Sequence, residues 1–292
     1  MSGKTLGVKA GGRFILTKSS NLTEWITIYP GPFKMGSDQG FHPEDGEGPA
    51  REVYLDSFEI AATAVSIAEF RVFVNETSYV TLAERKGSSH VFHQQLKEPS
   101  QHPVANPEMP WWRRVDGASW RHPFGSVRTV DPSLPAVHLS WQDCFAYCLW
   151  AGCRLPTEAE WEKAVRAGVS SSELPGGLVD EDLNIWRGSF PNLPAVNVGP
   201  VAVDLGRPNA FGLYHTSGNV WEWTADGFSK LHSPRPQRNP SGALNAERKV
   251  VKGGSFLCHD SYCGRYRPSS RRGEMPEATT SHMGFRLARP KK

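Results

Sequence analysis

The sequence predicts a single loop-rich domain in which short strands and short helices are strung between long irregular segments. Two observations carry this expectation. The chain contains 28 glycines and 23 prolines, residues that punctuate regular structure rather than extend it. Its 292 residues, 38% hydrophobic and 11% aromatic, suffice for one substantial core and do not have the composition of a disordered chain.

The net charge of +3 is mild. A late basic group includes Arg265, Arg267, Arg272 and Arg289, but no nucleic-acid-binding motif accompanies it, so no nucleic-acid partner is expected. The first residues lack the continuous apolar run of a secretory signal. No stretch approaches the roughly 18–20 apolar residues that cross a bilayer, so no membrane partner is expected and a cytoplasmic location follows by default. Five cysteines leave at least one thiol unpaired in a monomer, which argues against a disulfide-stapled fold.

In chain order, residues 1–25 show no period and read as an irregular lead-in to a domain spanning 26–292. The run from Trp25 reads as a strand, a Pro-Gly turn and a second strand ending at Met35-Gly36. A loop rich in Gly, Pro and acids follows, and alternation returns at 53–60. The acids there lack D-x-D-x-D-G spacing and suggest a turn rather than a metal loop. Ser66 with Glu69 three residues on forms a capping box for an amphipathic helix whose apolar face is Ile67, Phe70, Phe73 and Val74. Residues 80–134 show no convincing periodic element, only many aromatics. Ser140 caps a helix through Trp150 that Gly152 ends, and Thr157 with Glu160 caps the next. Cys144 and Cys148, one helical turn apart, read as buried helix positions rather than metal ligands.

The stretch Lys252–Tyr266, K-G-G-S-F-L-C-H-D-S-Y-C-G-R-Y, concentrates the chemistry. Cys258 and Cys263 would sit roughly 140° apart on a helix and on opposite faces of a strand, so a shared site requires a looped backbone. Gly253, Gly254 and Gly264 supply that freedom. Three readings fit the pair: a short-loop disulfide or buried thiols, half of a zinc site, or a thiolate pair holding a soft ion or doing redox work. No C-x-x-C exists to favour zinc, and spacing alone does not choose among the three.

The surrounding residues resemble a known family. G-G-S-F-L-C-H-D-S-Y-C-G-R-Y-R, then Arg271 and H-M-G-F-R-L-A (282–288), resemble the catalytic end of the formylglycine-generating enzymes, the sulfatase-modifying factors. The likeness continues upstream through P-W-W-R-R-V-D-G-A-S-W-R-H-P (110–123), R-L-P-T-E-A-E-W-E (154–162), N-I-W-R-G-S-F-P (184–191) and the stretch 211–226. It implies a single α+β domain of C-type-lectin-like type with little regular structure. It also implies an oxidoreductase of post-translational modification: a copper-dependent, O2-using enzyme that converts the cysteine of a sulfatase Cys-x-Pro-x-Arg segment to Cα-formylglycine, acting as a monomer. On this resemblance Cys258 and Cys263 hold Cu(I), Ser255, Trp221 and Tyr262 shape the pocket, and Arg271, Trp112 and Trp120 meet the substrate. Of the family's two calcium regions the first has lost its carboxylate. The second keeps Gly218, the Val220 carbonyl and Glu222 but has His215 in place of Asn or Asp, so at most one Ca2+ is implied.

Two departures bear on function. Pro268 and Leu287 stand where secreted relatives place disulfide cysteines, consistent with a reducing compartment. Between Arg271 and Gly284, small hydrogen-bonding groups give way to Arg272, Glu274 and Met275. That leaves two alternatives: a related copper oxidase acting on another cysteine peptide or a small thiol, and a non-catalytic binding module of the same fold.

Overall fold

The computed structural model describes residues 23–125, 129–169, 174–243 and 245–291; the lead-in assigned to residues 1–25 lies almost wholly outside them. Four strands come first among the described residues, β1 (Trp25–Ile28), β2 (Gly31–Met35), β3 (Arg51–Leu55) and β4 (Phe58–Ala61). They are followed by α1 (Ile67–Thr77), α2 (Leu82–Lys86), β5 (Ser88–Phe92), β6 (Trp112–Asp116), α3 (Trp141–Ala151) and α4 (Glu158–Arg166). The two-residue strands β7 (Gly188–Ser189) and β8 (Leu193–Pro194) come next, then β9 (Trp221–Gly227), β10 (Gln237–Arg238), β11 (Lys249–Lys252), β12 (Arg271–Glu274), β13 (Met283–Phe285) and β14 (Ala288–Pro290). The expected mixture of short strands, short helices and long connections is what the chain forms.

The first two strands are not a hairpin. β1 pairs with β4, which also takes β14, while β2 pairs with β3, which also takes β10. The run 53–60, read from sequence as one alternating stretch, is therefore two strands in two sheets, with Asp56 and Ser57 as the crossing point.

The helix starts follow their caps. Ser66, Ser140 and Thr157 each accept the N3 backbone N–H while the N3 acid returns to the cap, at Glu69, Asp143 and Glu160. α1 and α3 meet through stacked Phe70 and Tyr147 rings, 5.7 Å apart. Segment 80–134, read as lacking regular elements, contains α2, β5 and β6. Thr81 and Glu84 form a further capping box in T-L-A-E, and β5 pairs with β6, which is itself part of the aromatic run.

The sheet β12-β11-β9-β13 positions the site. On one face it presents Lys252, Glu222 and Arg271 to α4, a helix whose charged residues Glu158, Glu162 and Arg166 are buried. Trp223 and Phe285 pack into the main core from the other face. No helix among the described residues is long and apolar enough to cross a membrane.

Candidate functional site

β11 delivers the chain to the two glycines. Gly253 and Gly254 adopt φ of +88° and +69°, a region that side chains disfavour, and a Cβ on Gly254 would stand 2.9 Å from Cys258 Sγ. The backbone can therefore pass directly against the sulfur. The loop then folds on one acceptor: the N–H groups of Tyr262, Cys263 and Gly264 all donate to the His259 carbonyl, at 2.9, 2.8 and 3.0 Å. This turn overcomes the awkward five-residue spacing. Cys258 and Cys263 are free thiols, both buried, with Sγ atoms 2.7 Å apart.

The two sulfurs are electrostatically unequal. Burial pushes the Cys258 thiol up, and its hydrogen bond to Cys263 adds to this. Burial also pulls Cys263 upward, but the bond from Cys258, the Arg265 N–H and the Arg265 and Arg272 guanidiniums outweigh it, leaving Cys263 below the ordinary thiol value. The Ser255 backbone N–H points at Cys258 Sγ from 3.4 Å. Arg265 donates to the Cys263 carbonyl and is ion-paired with Asp45 at 2.5 Å, which ties the loop to the Pro43–Asp45 turn.

An aromatic wall rises beside the pair. Tyr262 stacks on Phe190, centroids 4.1 Å apart, and Trp111 meets both rings edge-on at 5.2 and 5.3 Å. The Tyr262 hydroxyl lies 3.7 Å from Met109 Sδ, and burial holds its pKa above the ordinary value. Trp112 lies further along, its ring 4.7 Å from that of His282. Phe190, Met109 and Asp45 were not singled out from sequence, because each reaches the loop from a distant segment; Arg265, inside the loop, was read only as part of a basic surface group.

Residues 14–291 match the sulfatase-modifying factor enzyme 1-like domain. The chain belongs to this family. It is 44% identical over 283 residues to the formylglycine-generating enzyme of Bos taurus, covering 91% of this chain and 74% of the relative. It is 45% identical over 281 residues to that of Thermomonospora curvata, covering 90% and 92%. An inactive C-alpha-formylglycine-generating enzyme 2 from Bos taurus is 34% identical over 290 residues, covering 95% and 91%. Among solved structures, PvdO from Pseudomonas aeruginosa superposes with a TM-score of 0.67 at 21% identity, over 91% of this chain and 94% of that one, and so shares the fold.

Within this family frame, the expected site residues fall into two groups. Ser255, Tyr262, Cys258 and Cys263 come together on the loop, and Trp221, at the start of β9, is buried in the main core that also takes in the two sulfurs and Trp120. Trp120 is turned to the α1 side of that core: it is fully buried 5.1 Å from Phe70, and its indole N–H donates to Glu84. Arg271 is likewise turned inward, with only 3% of its surface exposed and its guanidinium on Glu158 and on the Asp45 and Ser229 carbonyls.

Gly218, Val220 and Glu222 lie at the entry to β9, but as placed they do not fit calcium. Both Glu222 oxygens are taken by Arg286 at 2.6 and 2.7 Å and by the Trp161 indole N–H at 2.7 Å. His215 is turned to the Ala202 carbonyl. A hard cation needs six or more free oxygens, and here the single carboxylate is already neutralised by a guanidinium.

Proposed function

We propose that this protein is a copper-dependent, O2-using oxidase that converts the cysteine of a sulfatase-type Cys-x-Pro-x-Arg segment to Cα-formylglycine, as a monomer in the reducing cytoplasm. The observation that carries the proposal is the meeting of two free, buried thiols on a glycine-relieved loop. Family membership by itself does not supply an activity, since an inactive relative shares the domain.

The residues present fit Cu(I). Two sulfurs form a soft donor set, and the N–H of Ser255 and the charge of Arg265 favour the deprotonated state that a soft ion requires. When bound, copper would supply the binding of the substrate thiolate and the activation of O2. The chain does the rest. Gly254 lets the backbone close on Cys258, Arg265 fixes the Cys263 carbonyl, and the Trp111, Phe190 and Tyr262 rings keep water from the sulfurs. Taking the substrate Cβ from thiol to aldehyde is a two-electron oxidation that releases sulfur as hydrogen sulfide. Reducing O2 to two waters takes four electrons, so an external thiol reductant provides the other two.

A second reading keeps the oxidase and changes the substrate. Arg272, only partly buried and ion-paired with Glu274 at 3.3 Å, brings a cation near Cys263 and Tyr262 where relatives carry a small polar residue.

The deciding experiment is anaerobic titration of the reduced protein with Cu(I), then air, a thiol reductant and a Cys-x-Pro-x-Arg peptide, followed by mass spectrometry. One equivalent bound in the wild type, loss of binding in Cys258→Ala and Cys263→Ala, and a thiol-to-aldehyde mass change support the proposal. Copper binding with an untouched peptide selects the second reading, and absence of copper binding overturns both.

A further inference from the structure

Arg51, at the start of β3, is a buried cation that Glu158 and Glu162 attract from a distance but do not pair with. The residue is 6% exposed, and its guanidinium has contacts with Met35 Sδ at 3.5 Å, the Pro49 carbonyl at 3.4 Å and His232 Nδ1 at 3.2 Å, while its Nε–H has no protein partner. Among the described residues it forms no ion pair, although its buried neighbours do. Arg271 is paired with Glu158, Lys252 with Glu162, and Arg166 with Glu162. Leaving a guanidinium buried and unpaired costs several kcal/mol.

Arg51 lines a cavity of about 260 Å3 bounded by Glu158, Asp226, Arg271 and the segments around His232 and Gly242. A guanidinium can only donate, so His232 Nδ1 must accept from Arg51 and the ring proton sits on Nε2. That second N–H also lacks a partner. The carboxylates lining the cavity are already engaged. Both Glu158 oxygens accept from Arg271, at 2.7 and 2.9 Å. The Asp226 oxygens accept the Glu158 and Gly242 backbone N–H groups at 2.6 and 2.7 Å. Two donors remain without a partner, one of them on a permanent cation, while both carboxylates are engaged. That balance suits an anion and rejects a metal ion. Neither Cys258 nor Cys263 lines the cavity.

We propose that this cavity is a binding site for a small oxyanion, the phosphate, sulfate or carboxylate group of a small molecule, held by Arg51 and His232. Its volume leaves room for a molecule larger than a single inorganic ion, with the oxyanion as the anchoring group.

The test is calorimetry and thermal unfolding of the full chain with inorganic phosphate, inorganic sulfate and succinate, each at constant ionic strength against chloride. Saturable heat and a concentration-dependent rise in Tm are expected with at least one of them, and the preferred anion shows whether the site takes tetrahedral oxyanions or carboxylates. Arg51→Met and His232→Ala should each weaken binding by about tenfold or more, the loss of a charge-assisted contact, while Cys258→Ala leaves it unchanged. No saturable heat with any of the three anions would overturn the proposal, as would equal affinity in wild type and variant. If Arg51→Met does not fold, the half-buried His232 variant decides. Because the readout is binding without copper or peptide, its outcome is independent of the oxidase reading.

Discussion

Arg271 and Glu158, 113 positions apart in the chain, form a two-point ion pair in the interior, Nε to Oε1 at 2.7 Å and Nη2 to Oε2 at 2.9 Å. The pair fastens β12 to the first turn of α4 and leaves Arg271 only 3% exposed. Removing one partner strands the other charge: Arg271→Met should cost about 3–5 kcal/mol, because Glu158 would retain only Lys252 at 3.7 Å. Adding Glu158→Gln should recover much of that loss. Urea unfolding of the single and double variants checks this; unchanged stability with a raised peptide KM would instead place Arg271 at the substrate.

The same region gives stability a two-sided pH dependence. Burial opposes ionisation of Glu158, but Arg271 and Lys252 outweigh it and hold its carboxyl at about 2, against an ordinary 4.5. The stabilisation it provides is complete above pH 4.5 and is lost as pH falls through about 2. Asp226 is shifted the other way, to about 6 from 3.8, chiefly by burial and then by the neighbouring carboxylates. Its contribution is complete below pH 3.8 and is lost as pH rises through about 6. Each limb is worth on the order of 3 kcal/mol. Unfolding free energies measured across this range should therefore rise and then fall, with Glu158→Gln flattening the acid limb and Asp226→Asn the limb towards pH 6.

Trp120 and Trp111 should part company on mutation. Trp120 has no exposed surface and packs on Phe70, so Trp120→Ala should cost about 3–5 kcal/mol while turnover per folded molecule holds. Trp111 stands against Tyr262 and Phe190, and Trp111→Ala should lower turnover more than stability. Paired thermal-unfolding and single-turnover measurements separate the two, and a folded but inactive Trp120 variant would return that residue to the cleft.

Thr81 offers a test of a local signal. Its hydroxyl takes the Glu84 N–H, and Glu84 in turn meets the Thr81 N–H and the Trp120 indole. Thr81→Ala should cost about 1 kcal/mol by chemical denaturation, with Thr81→Ser restoring most of it.

The sequence by itself determined whatever is decided within a few residues. Capping boxes at Ser66, Ser140 and Thr157 set three helix starts, because donor and acceptor lie three positions apart. Gly253, Gly254 and Gly264 marked a loop able to bring Cys258 and Cys263 together, and all three adopt positive φ. Tertiary structure alone decided which side chains are spent elsewhere. Glu222 reads in sequence as a free oxygen ligand, but in the fold Arg286, 64 residues on, bonds to it, and the Arg271 guanidinium is held by Glu158. Phe190 became part of the thiol pocket only when folding stacked it on Tyr262. β5 and β6 were invisible because each is a short strand that gains its hydrogen bonds from the other across about twenty intervening residues, with no periodicity long enough to announce it. Local geometry is written in neighbouring residues, whereas the availability of a charge or a ring depends on distant partners that only the folded chain brings into contact.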